Sequence, residues 1–122
     1  MPITVPGFLL RRLYVKGSLR NTEDGFRFLL KNSLGSGYAK RLLPLVVDGQ
    51  ELPMSQAYFA VGDKVQAFHE VSEESPASLA MNRESTIAVK GSGLAPGVHN
   101  VQVGFVVAGL GELRFDFTDE VT

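Results

Sequence analysis

The chain has 122 residues, 44% of them apolar and 20% charged, and 12 Lys and Arg stand against 13 Asp and Glu for a net charge of −1. That balance removes a general electrostatic pull towards nucleic acid or an anionic membrane. The absence of cysteine removes disulfides, thiolate nucleophiles and cysteine zinc sites.

This length predicts one domain over residues 1–122, large enough to bury its own core. At the N-terminus, MPITVPGFLLRRLYV has no basic residue before its apolar part, and that part breaks at Arg11–Arg12. It therefore reads neither as a secretion signal nor as a membrane span, and a cytoplasmic location is the expectation. A first strand is predicted over 8–16, with the whole segment 1–16 a candidate partner contact. Further strands are expected near 25–34, 40–48, 57–62, 65–70, 85–90, 98–107 and 112–118. Turn pairs punctuate them, among them Asp24–Gly25, Asp48–Gly49, Gly62–Asp63 and Pro96–Gly97. Such frequent turn chemistry points to an all-β fold, a single immunoglobulin-like antiparallel β-sandwich of about 7–9 strands.

The alternation agrees. Ile87 and Val89 share one parity while Thr86 and Lys90 take the other, and Leu113, Phe115 and Phe117 alternate with Arg114 and Asp116. In VVDGQEL, Asp48–Gly49 suits a tight hairpin turn. The only helical stretch expected is a turn or two within 69–82, interrupted by Pro76.

Some runs carry more apolar residues than one sandwich face needs. In Arg41-Leu42-Leu43-Pro44-Leu45-Val46-Val47, placing Leu43, Leu45 and Val47 inside leaves Leu42 and Val46 outside. Phe8, Leu9, Leu10 and Val106 add to this surplus. Loops or a second protein must cover it, and Phe8, Leu9, Leu10, Leu42, Val46 and Val106 are the candidate partner-interface residues.

Chemistry is hard to place. His69, Glu70 and Glu73 lack metal-ligand spacing and read as a solvated loop. Gly35-Ser36-Gly37 is no nucleophile elbow, and Gly91-Ser92-Gly93 is followed by neither lysine nor helix. The adjacent acids Glu23–Asp24 and Asp119–Glu120 carry no sign of acid–base pairing. No catalytic, cofactor-binding or metal-binding residue is assigned. His99 shares the parity of Val101, Val103 and Phe105, so its ring turns inward just after Leu94-Ala95-Pro96-Gly97. There it reads as a structural corner that bonds the backbone of the preceding turn, much as a tyrosine does in immunoglobulin-like sandwiches.

Several segments in order resemble one family. They are Gly17-Ser18-Leu19-Arg20-Asn21, Glu23-Asp24-Gly25-Phe26, Val46-Val47-Asp48-Gly49-Gln50-Glu51-Leu52-Pro53 and Val61-Gly62-Asp63-Lys64. Glu70-Val71-Ser72-Glu73-Glu74-Ser75-Pro76, Leu94-Ala95-Pro96-Gly97-Val98-His99 and Gly111-Glu112-Leu113 with Phe115-Asp116 and Asp119 follow. From about Gly17 onward the chain resembles the small β subunit of bacterial C-glycoside deglycosidases.

The resemblance implies a heteromer. Its large α subunit would be a sugar-isomerase-like TIM barrel holding a divalent metal, commonly manganese. That subunit would cleave the carbon–carbon bond between a 3-keto sugar and a flavonoid-type aglycone. The β subunit would bind and stabilise α without catalytic residues or a cofactor of its own, and with no nucleic-acid or membrane partner. Whether the loop over 69–80 reaches the α active site is left open. The alternative is a stand-alone immunoglobulin-like module that binds carbohydrate or protein; the absence of tryptophan, with only Tyr14, Tyr38 and Tyr58 as tyrosines, weakens its sugar-binding form.

Overall fold

The computed structural model describes residues 5–121. It is an all-β sandwich of two antiparallel sheets. The chain opens with a short helix, α1 (Gly7–Leu10), and a 3-10 turn at Arg11–Leu13. The strands are β1 (Arg20–Thr22), β2 (Gly25–Lys31), β3 (Gly37–Leu42), β4 (Val46–Val47), β5 (Gln50–Glu51) and β6 (Ala57–Val61). Then come β7 (Lys64–Ala67), β8 (Ala77–Leu79), β9 (Glu84–Lys90), β10 (Gly97–Val107) and β11 (Gly111–Val121).

One sheet has the order β1-β2-β9-β6-β7. The other is built on β10, which pairs with β11 along its whole length, from Gly97↔Val121 to Val107↔Gly111. On its other side β10 pairs first with β4 at Val101↔Val47 and then with β3 at Phe105↔Leu42. β8 and β5 complete this sheet at its edges. The strands exceed the expected 7–9 because β1, β5 and β8 are only two or three residues long, too short for a period-two pattern to show.

Alternation selects the core. Phe26, Phe28, Leu30, Ile87, Val89 and Phe59 from the first sheet meet Val101, Val103, Phe105, Phe115 and Phe117 from the second. Phe28 and Phe117 join the layers edge to face, their ring centres 5.1 Å apart.

Three expectations need correction. The segment 8–16 begins as a helix rather than a strand, because Leu9, Leu10 and Leu13 recur at helical spacing, and only Leu10 of α1 is buried. Of the candidate contact segment 1–16, residues 1–4 lie outside the described residues. The predicted strand over 40–48 is two strands. β3 ends at Leu42, and β4 starts at Val46 after an irregular link through Pro44, which has no N–H for a ladder. The break resets the alternation, so Leu42, Leu45 and Val47 are buried while Leu43 lies half-exposed. The stretch 69–82 holds a 3-10 turn at Phe68–Glu70 and then β8, and no α-helix.

Candidate functional site

An apolar cleft opens at the end of the sandwich where α1, the β10–β11 turn and the segment before β9 converge. It is a cleft of about 360 Å³. Leu9, Leu10 and Leu13 come from the N-terminal turns, Leu79 from β8, and Leu110 and Leu113 from the β10–β11 hairpin. Phe105 and Val107 form part of its lining on β10. Asn32 also lines it, but its side chain is committed: Nδ2 donates to the carbonyls of Gly35 and Leu79, and Oδ1 accepts from the N–H groups of Leu34 and Gly35. Arg83 is the one charged side chain among the described lining residues.

The N-terminal segment is strapped to β11. Arg11 Nε donates to the Asp116 carbonyl at 2.9 Å, and Nη2 reaches the Asp116 carboxylate at 3.3 Å. Three residues on, the Tyr14 hydroxyl donates to Asp119 Oδ2 at 2.6 Å, and the Gly17 N–H reaches the same oxygen at 2.7 Å. The Tyr14 ring stacks on Phe117 with centres 3.6 Å apart. Burial, and then the bond to Asp119, push the tyrosine hydroxyl up to about 12. Burial alone would raise the Asp119 carboxyl, but the bonds from Tyr14, Gly17 and Glu120 outweigh it and hold the group below the usual carboxylate range. The Asp119–Glu120 pair, which carries no sign of acid–base pairing in the sequence, thus contains the anchor of this strap.

His99 stands at the opposite end of β10. Its Nε2 lies 2.6 Å from the Ala95 carbonyl in the preceding turn, and its Nδ1 lies 2.6 Å from Asp48 Oδ2. Both partners can only accept, so both ring nitrogens must donate, and the fully bonded ring is the imidazolium. The Ala95 carbonyl and then the Asp48 carboxylate accordingly raise the His99 pKa. His99, followed by the Asn100 N–H, lowers that of Asp48. Asp48 has φ 51°, the left-handed conformation that a two-residue hairpin turn requires, and Gly49 follows at φ 84°. Sequence reasoning identified the turn and missed the ion pair, because no local pattern connects positions 48 and 99.

The sequence-predicted interface residues separate into three groups. Leu10 and Leu42 are only 2% and 1% exposed, so both belong to the chain's own core and have no surface to offer a partner. Phe8 is 64% exposed at the first turn of α1, and Leu9 beside it turns into the cleft. Val46 and Val106 are half-buried on the outer face of the β10 sheet, opposite Gln102 and Arg41. Between them Leu43 folds over Gly104, where an added Cβ would meet Leu43 Cδ1 at 2.7 Å.

The remaining candidates do not converge. Glu70 caps the Ala67 N–H at 2.9 Å, Glu73 pairs with Lys40 at 3.6 Å, and Ser36 accepts from the Met81 N–H. Among the described residues no three His, Asp or Glu side chains gather as a metal site. Of the tyrosines, Tyr58 lies under the Lys90 ammonium at 5.0 Å and Tyr38 is exposed. Among the described residues no helix is long and apolar enough to cross a membrane.

No curated protein matches the chain. A family model described as hydroxymethylglutaryl-CoA reductase, N-terminal domain, matches residues 9–122, a span that takes in every strand of both sheets. By that match the chain belongs to the hydroxymethylglutaryl-CoA reductase N-terminal domain family.

Proposed function

We propose that this chain is a non-catalytic, partner-binding β-sandwich, the β subunit of a heteromeric C-glycoside deglycosidase. In this reading it binds and stabilises a sugar-isomerase-like TIM-barrel α subunit. That partner holds the divalent metal and breaks the carbon–carbon bond between a 3-keto sugar and its flavonoid-type aglycone. The ordered segments from Gly17 to Asp119 that resemble such subunits support it. The structural observation that carries the partner-binding role is Phe8. A large aromatic side chain is held outward on a helix that Arg11 and Tyr14 tie to β11, and rigid, exposed aromatics are the residues that anchor interfaces.

Co-expression with a TIM-barrel α subunit of this type tests the reading. A stable complex that releases aglycone from a 3-keto C-glycoside with manganese present, where α alone is unstable or inactive, is the expected outcome. Two proteins that elute separately, with α fully active alone, would overturn it.

The family match over 9–122 favours a second reading, service as the N-terminal domain of a hydroxymethylglutaryl-CoA reductase. Both readings make the chain an appendage of a larger catalytic protein. They part on the partner: capture of a reductase and enhancement of its turnover of hydroxymethylglutaryl-CoA would select the second.

A further inference from the structure

We propose that the cleft under α1 is a binding site for a small amphipathic monocarboxylate, with the apolar body between the leucines and the carboxylate at Arg83. This site is independent of the partner-binding role.

Three observations carry it. The volume, about 360 Å³, falls within the range of small-molecule pockets, and the walls come from both sheets and the N-terminal turns, so the cleft is built by the fold rather than by one loop. Its polar content is also concentrated. Asn32 is fully bonded to backbone, Ser36 is engaged by Met81, and Ser78 and Ser85 add only neutral hydroxyls, which leaves Arg83 as the charged group lining the cleft. The third observation is the state of that arginine. Its guanidinium lies directly on Gly62, where any Cβ would overlap Nη2, and among the described residues no carboxylate stands within ion-pair distance of it. A planar cation held against backbone beside an apolar cavity matches a carboxylate on an apolar body.

The test uses the full chain with decanoate and 1-decanol as probes, followed by calorimetry and by methyl NMR of the leucines. Saturable decanoate binding that shifts the methyls of Leu13, Leu79 and Leu110 is expected. Arg83→Gln, a change at an exposed side chain, is expected to weaken decanoate about three- to tenfold and leave 1-decanol unchanged. Gly37→Leu is expected to abolish binding of both. Gly37 lines the cleft without a left-handed φ, and its added Cβ would make only ordinary contact, 3.5 Å from Val107 Cγ1. Absence of saturable binding, or shifts that map elsewhere, would overturn the site. Decanoate binding indifferent to Arg83→Gln would overturn the carboxylate assignment.

Discussion

The Tyr14 hydroxyl meets the Asp119 carboxylate at 2.6 Å across 105 residues of chain. The bond closes the N-terminal segment onto the last strand, and the ring stack on Phe117 extends the core over it. Tyr14→Phe keeps the stack and deletes the donor. It is expected to cost about 1–3 kcal/mol, because a partly buried carboxylate loses its shortest hydrogen bond. Urea unfolding would read the cost as a lower midpoint at unchanged slope. The pH dependence has a definite sign. Folding raises the tyrosine from 10.0 to about 12, so its contribution is complete below pH 10 and disappears as pH rises towards 12. Wild type should lose stability in that alkaline window, and Tyr14→Phe should lose less.

The His99–Asp48 pair gives a second pH window. The raised His99 pKa makes its contribution complete below the ordinary histidine value of 6.5 and lost as pH rises through the folded value. The lowered Asp48 pKa makes its share complete above 3.8 and lost as pH falls through the folded value. The clamp is therefore strongest between about pH 4 and 6.5. Asp119 is the register partner of His99 on β11, and its carboxylate is occupied by Tyr14 and Gly17. Melting temperatures of wild type and His99→Gln should differ most in that window and converge above it. A histidine ring that titrates at its ordinary value by NMR would contradict the geometry.

How far the sequence could be read depends on how local each signal is. β9, β10 and β11 were legible within a residue or a few, since Ile87/Val89 and Leu113/Phe115/Phe117 alternate without interruption. The Asp48–Gly49 turn was legible too, because its geometry depends on two residues. The outward placement of Leu42 fails because the ladder breaks at Pro44, so parity does not carry from β3 to β4. The α1 helix was hidden by its length, four residues with Leu9, Leu10 and Leu13 as its apolar pattern. Neither the cleft nor the Tyr14–Asp119 strap could be read from sequence, because their walls and partners come from opposite ends of the chain.

Gly25 tests the register of the first sheet. It faces Lys90 across the β2–β9 pair, and a Cβ there would overlap the Val89 carbonyl oxygen. Backbone cannot yield as a flexible side chain does, so Gly25→Ala should separate the β2–β9 ladder at that end. The expected cost is roughly 3 kcal/mol or more, read by thermal unfolding. Gly104→Ala makes the comparison. Its Cβ would meet the Leu43 side chain, which can swing aside, so a cost of about 1 kcal/mol is expected.

Phe8 and Leu42 separate partner binding from stability. Leu42 is fully enclosed in the chain's own core, so Leu42→Ala removes buried methyl groups and leaves a cavity, with an expected loss of about 2–5 kcal/mol in the isolated chain. Phe8 is mostly exposed, so Phe8→Ser should shift stability by no more than about 0.5 kcal/mol. If Phe8 anchors the α subunit, the same substitution should weaken the complex by about 2 kcal/mol or more, roughly thirtyfold in affinity. Thermal unfolding of the isolated variants reads the stability, and calorimetric titration into α reads the affinity. Unchanged affinity for Phe8→Ser would move the interface away from α1. The half-buried pair Val46 and Val106, on the outer face of the β10 sheet, would then be the next surface to substitute, and Val106→Asp should weaken the complex while leaving the Phe8 face untouched.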